Sequence, residues 1–154
     1  MKVYLLRHGE YTPRDHDPQC GLSDRGKNDI QKLAKFLSPL HIRVDAIYHS
    51  GILRAQQTAE IIATGISSRV PPQAHAGLQP EDSVQSIAYE IAQSDADLFL
   101  VGHLPFMERL VGKLVSGDER NTVNTFQPGT LVCLEKMHGQ FFLVSWVISP
   151  GLVK

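Results

Sequence analysis

Short apolar runs alternate along the chain with longer stretches in which apolar residues recur every three or four positions. Val3-Tyr4-Leu5-Leu6 is an uninterrupted apolar run, the pattern of a strand covered on both faces, and it stops abruptly at Arg7-His8-Gly9. A loop rich in Pro, Asp and Gly follows. Ser23 is then placed to cap a helix whose Ile30, Leu33, Ala34 and Leu37 share one face. Residues 44–48 read as a second strand, and Ser50 as the cap of a second helix that buries Ala55, Ala59 and Ile62 and carries Arg54 in its first turns. Val84, Ile87, Ala88, Ile91 and Ala92 predict a third helix behind the acidic pair Glu81-Asp82, which suits a helix N-terminus. Residues 98–101 predict another fully covered strand, ended by Gly102-His103, and Pro105 starts a helix carrying Phe106, Leu110, Val111 and Leu114. Residues 131–134 and 141–148 predict two last strands, antiparallel about a turn at His138-Gly139.

Alternating strands and helices, with strands too apolar to face water, predict a three-layer α/β/α sandwich around a mainly parallel central sheet. With 154 residues and no repeat or linker, the chain is expected to be one domain spanning 1–154. Apolar residues at 42% and charged residues at 20% are ordinary globular usage, so disorder is excluded. Fifteen Lys and Arg against sixteen Asp and Glu leave a net charge of −1, which argues against a dedicated nucleic-acid or anionic-membrane binder. No apolar run approaches the ~18 residues a membrane helix requires. Cys20 and Cys133 are the only cysteines, far apart and without Cys-x-x-Cys spacing, so the expected setting is a reducing cytoplasm. Cys133 alternates within an apolar strand and reads as core; Cys20 lies in a polar loop and stays open.

Ligands of such sheets bind beyond the carboxyl ends of the parallel strands. Independent segments therefore deliver Arg7 and His8, Ser50 and Arg54, and Gly102 and His103 to one edge. Two arginines beside two histidines suit a phosphoryl group, because guanidinium forks pair bidentately with phosphate oxygens. A neutral imidazole whose other nitrogen is fixed by a hydrogen bond can also attack phosphorus, which makes His8 the candidate nucleophile. Arg7, Arg54 and a charged His103 would then neutralise the equatorial oxygens, with no metal or cofactor required. His16, His41, His49, His75 and His138 have no metal-ligand spacing among themselves and receive no role. Lys27, Lys32 and Lys35 read as a solvated helix face.

Arg7-His8-Gly9-Glu10, Leu22-Ser23-Asp24-Arg25-Gly26, the segment from Ser50 through Arg54 to Ala59, and Gly102-His103-Leu104-Pro105 together resemble the histidine phosphatase, or phosphoglycerate mutase-like, superfamily. Within it the chain looks most like the short bacterial phosphohistidine phosphatases of the SixA type, which also end in a Trp and a Ser-Pro, here Trp146 and Ser149-Pro150. The resemblance implies hydrolysis of phosphohistidine on a phosphorelay or phosphotransferase protein. It makes His8 the phosphorylated nucleophile, Arg7 and Arg54 phosphate ligands, and His103 the second catalytic histidine. Two departures stand out. An arginine common in those phosphatases is replaced around Cys20-Gly21-Leu22-Ser23, with Arg14 and Arg25 as candidate substitutes. The glutamate general acid of the mutase-like branch has no counterpart beyond Glu81 and Asp82, which follow Leu78-Gln79-Pro80.

Blander readings stand beside these: His103 as a helix cap, Glu81 and Asp82 as helix-start residues. Three functions compete. The first is a phosphohistidine phosphatase acting through His8 on a protein. The second is a mutase or small-ester phosphatase using the same pocket on a small phosphorylated compound. The third is an idle phosphate-binding module. The short stretch from 64 to 84 leaves little chain for a lid, which favours a shallow site open to a protein substrate.

Overall fold

The computed structural model describes residues 1–154. In chain order the elements are β1 (Lys2–Arg7), α1 (Asp24–Leu37), β2 (Arg43–Val44), β3 (Ala46–His49), α2 (Leu53–Ile62), β4 (Ser67–Ser68), β5 (Gln73–Ala74), α3 (Gln85–Gln93), β6 (Leu98–Gly102), α4 (Phe106–Ser116), β7 (Leu131–Lys136) and β8 (Phe142–Ile148). The main sheet has the order β5-β3-β6-β1-β7-β8. Its first four strands are mutually parallel, while β7 runs antiparallel to both β1 and β8. This is the expected three-layer α/β/α sandwich with a mainly parallel sheet, and the alternation of side chains along the strands explains it. Val3, Leu5, Leu98 and Leu100 face α3 and α4, whereas Tyr4, Leu6, Phe99 and Val101 face α1 and α2. Phe99, fully buried and stacked on Tyr4 at 5.7 Å, is the kind of side chain whose truncation to Ala costs about 3–5 kcal/mol.

Local signals hold at α1, where Ser23 takes an extended conformation and its Oγ accepts from the Gly26 amide. Three expectations are corrected. Residues 44–48 are not one strand: Asp45 accepts from the Asp97 amide and pairs with Arg69, splitting the segment so that β2 joins β4 in a separate two-stranded sheet. Ser50 does not cap α2, which starts after Ile52 without a side-chain cap. The acidic pair does not start α3 either. Asp82 reaches back to the Gln79 amide at 2.8 Å and closes a turn, and the Ser83 hydroxyl accepts from Gln85 N instead.

Strand order decides where the site lies. β1 and β6 are neighbours, yet β1 leads into α1 on one face and β6 into α4 on the other. The chain departs in opposite directions from adjacent strand ends and opens a crevice between them. His8 N donates to Gly102 O at 3.0 Å, carrying the ladder to the lip of that crevice.

Candidate active site

At the β1 exit the backbone packs closely enough to crowd any side chain at position 9. A Cβ on Gly9 would meet Ile30 Cγ1 at 3.0 Å and Gly26 O at 3.2 Å. Gly9 N donates to Thr58 Oγ1 at 3.1 Å, and the Thr58 hydroxyl in turn donates to Arg54 O at 2.8 Å. The turn after β1 is thus tied to the turn of α2 that carries Arg54. His8, 3% exposed, bonds through Nδ1 to Gly9 O at 2.8 Å. A carbonyl only accepts, so Nδ1 carries the hydrogen and the lone pair sits on Nε2. Burial pushes the His8 pKa down to about 4, helped by the charges of Arg54 and Arg7 and opposed by the Gly9 carbonyl. The imidazole is therefore neutral at neutral pH with a free Nε2, the form a nucleophile requires.

His103, at the β6 exit, lies with its ring centroid 4.9 Å from that of His8. It is 1% exposed, and its Nε2 is 2.6 Å from Ser50 Oγ. Burial, then His8 and the two arginines, lower its pKa to about 3. The expected charged His103 is accordingly a neutral ring in the protein alone, because no carboxylate lies close enough to offset burial and two neighbouring guanidinium groups. Nor does its side chain cap α4; the ring turns to Ser50.

Arg7 Nη1 donates to Phe126 O at 2.8 Å, and burial lowers the pKa of the guanidinium while Tyr11 and Glu108 raise it. The Arg54 guanidinium lies 4.6 Å over the Tyr11 ring, whose face attracts the cation. Arg7 Nε, Arg54 Nε and His103 Nδ1 are buried and have no acceptor on the protein. Buried donors without partners are uncommon. Gathered around two positive charges, they suit a tetrahedral oxyanion, which offers acceptors in several directions.

Of the sequence candidates, Arg7, His8, Arg54 and His103 come together: the two rings lie 4.9 Å apart, and the charges of Arg7 and Arg54 reach both. Glu81 and Asp82 do not join them: Glu81 is exposed, Asp82 is engaged at Gln79, and neither bonds to any of the four. Arg25 ion-pairs with Glu10 and Asp29 on the α1 surface. Arg14 instead lines an open depression of about 430 Å³ with Tyr11, Pro13, Cys20 and Arg54. Cys133 is fully buried, its pKa raised to about 11 chiefly by burial, whereas Cys20 is partly exposed with a positive φ of 50°. Sequence reasoning missed Thr58, Gln79, Tyr11 and Glu108. Thr58 had a signal, a polar residue on the apolar face of Ala55, Ala59 and Ile62, while Gln79 and Glu108 had none. No three of the His, Cys, Asp and Glu side chains gather as a metal-holding group.

The sequence model of the histidine phosphatase superfamily, branch 1, matches residues 3–83, more than half of the chain and the segment holding Arg7, His8 and Arg54. The chain belongs to this superfamily. Its relatives within and around the superfamily include a protein of Picosynechococcus, 30% identical over 138 residues that cover 85% of this chain and 83% of the relative. The phosphohistidine phosphatase SixA of Escherichia coli K12 is 24% identical over 159 residues, covering 100% of this chain and 97% of that one. A solved structure of the protein histidine phosphatase SixA, complexed with tungstate, superposes with a TM-score of 0.87 at 21% identity over 100% of both chains. The histidine phosphatase fold is thus shared from end to end.

Proposed function

We propose that this histidine phosphatase hydrolyses phosphohistidine on a phosphoprotein through a phosphoryl intermediate on His8. The observation that carries the reading is the commitment of His8 Nδ1 to the Gly9 carbonyl, which leaves a neutral, buried Nε2 beside two guanidinium groups. In the first step the P–Nε2 bond to His8 forms as the bond from phosphorus to the substrate imidazole breaks. That imidazole, protonated on its other nitrogen, departs as a neutral ring. In the second step water attacks phosphorus, the electron pair returns to Nε2, and dihydrogen phosphate leaves. Arg7, Arg54 and the His103 N–H stabilise the phosphoryl oxygens throughout, and this electrostatic alignment is most of the catalysis.

The substrate class follows from what surrounds His8. An alkoxide leaving group needs a positioned acid worth about 100- to 10,000-fold, and no carboxylate figures among the groups that shift His8 or His103. A departing imidazole needs none. The open depression bounded by Tyr11, Arg14 and Arg54 supports access by a protein surface. The likeness to SixA in sequence and fold, and the tungstate oxyanion bound by that relative, agree with a phosphorelay or phosphotransferase partner. No helix is long and apolar enough to cross a membrane, which is compatible with action on a partner in the cytoplasm.

A second reading, hydrolysis of small phosphate esters, draws on Glu108, whose charge is felt at Arg7 from the first turn of α4. Comparing kcat/KM for a phosphohistidine protein, an activated aryl phosphate and an alkyl phosphate separates the two. The first two substrates are expected to be cleaved far faster than the third. Efficient alkyl phosphate turnover that collapses in Glu108→Gln, Asp82→Asn or Glu81→Gln would replace the proposal with the ester reading.

A further inference from the structure

Donors and acceptors around Ser50 can be counted atom by atom. Ser50 is 6% exposed, and its Oγ meets two partners: the Ile52 amide at 3.2 Å and His103 Nε2 at 2.6 Å. The amide can only donate, so it occupies a lone pair of Oγ. If His103 Nε2 also donated to Oγ, the hydroxyl hydrogen would be buried with no acceptor, and the Nδ1 lone pair would confront the oxygens of the bound anion. If the hydroxyl donates to Nε2 instead, every group at Ser50 is satisfied and the ring's remaining hydrogen sits on Nδ1. That nitrogen is the buried atom without a protein partner.

From this count we infer that Ser50 is a positioning residue that holds His103 in the Nδ1–H tautomer, so that the ring meets the phosphoryl group as a neutral hydrogen-bond donor. The inference rests on the phosphoryl-transfer reading for its consequence and on the Ser50 geometry for its substance. Ser50 is itself held from outside β3. Gln79 Nε2 donates to Ser50 O at 2.7 Å, and Gln79 is fixed by the turn in which Asp82 Oδ2 accepts from Gln79 N and Asp82 N donates to Gln79 O. Asp82 thus supports the second histidine through the backbone it braces. The arrangement also accounts for a neutral ring so close to His8: a second imidazolium, with ring centroids 4.9 Å apart, would oppose the positive phosphorylated His8 ring.

The test uses the whole chain labelled with nitrogen-15 histidine, with the His103 signals assigned by their loss in His103→Gln. In the wild type at neutral pH, His103 is expected to show a protonated Nδ1 and an unprotonated, hydrogen-bonded Nε2, and inorganic phosphate is expected to move the Nδ1–H resonance. Ser50→Ala is expected to redistribute the tautomers and lower kcat by about tenfold to a hundredfold, the size found when a partner orienting a ligating imidazole is removed. Ser50→Thr keeps the hydroxyl and is expected to restore most of both. A protonated Nε2 in the wild type overturns the inference whatever the variants do, as does a Ser50→Ala protein with wild-type kinetics and an unchanged His103 spectrum. A wild type that shows the Nδ1–H tautomer and responds to inorganic phosphate, yet cleaves no phosphohistidine, supports the positioning and counts against the proposed reaction alone.

Discussion

The ends of β1 and β6 place two buried imidazoles side by side and hold them by different means. His8 is fixed by the carbonyl of the next residue, a bond of sequence separation one, whereas His103 is fixed by a hydroxyl that is 53 residues away in the chain. A local bond survives small rearrangements of the fold, because its partners move together. A long-range bond registers any shift between β3 and β6. The ring proposed as nucleophile thus has the more self-contained support, and the ring proposed to bind the phosphoryl group depends on the packing of its neighbours.

Removing the local end should have the largest effect. His8→Ala is expected to cut kcat by about ten-thousandfold or more while leaving the fold intact, since the covalent route disappears. Turnover within tenfold of wild type, with circular dichroism unchanged, would remove His8 from the role of nucleophile. Arg54→Lys sharpens the comparison from the α2 side. An ammonium cannot reproduce a planar fork, so a loss of about a hundredfold to a thousandfold in kcat is expected, the size of removing one preorganised oxyanion donor. Unchanged steady-state kinetics would take Arg54 out of the site.

Acid should act on both rings at once. The folded chain keeps His8 neutral down to about pH 4 and His103 to about pH 3, whereas both have ordinary values near 6.5 when unfolded. As pH falls from about 6.5 to about 4, the unfolded chain takes up protons that the folded chain refuses. The stability contribution is therefore complete above this window and declines through it. Denaturant midpoints measured from pH 7 to pH 4 should fall in the wild type and fall less steeply in His8→Asn. Equal slopes would place the acid sensitivity elsewhere. The smallest effect concerns the tie between the β1 exit and α2. Thr58→Val leaves the Gly9 amide without its acceptor at nearly constant side-chain volume, and should lower global stability by about 1–3 kcal/mol. An unchanged urea midpoint would show that water replaces the hydroxyl.

Much of this molecule was legible from residue order. The apolar runs foretold β1, β6, β7 and β8, although β8 at the sheet edge leaves Leu143, Val144 and Val147 exposed, and the spacing of Ile30, Leu33, Ala34 and Leu37 foretold α1 and its buried face. Arg7, His8, Arg54 and His103 were legible because each polar group stands where an apolar run or helix begins or ends, and parallel sheets gather such points at one edge. These features depend on periodicity and on chemistry carried within a few residues. What depended on distance was not legible. Asp45 divides a predicted strand where it accepts from the Asp97 amide, and Ser50, expected as a cap, instead meets His103 at 2.6 Å. Asp82 serves a turn at Gln79 while Gln79 reaches Ser50. Neutrality of His103 is a tertiary outcome as well, since burial and neighbouring guanidinium groups come from segments remote in the chain. Local hydrogen-bonding preferences are modest in energy, so a buried long-range partner overrides them, and only the assembled sheet decides which partner is present.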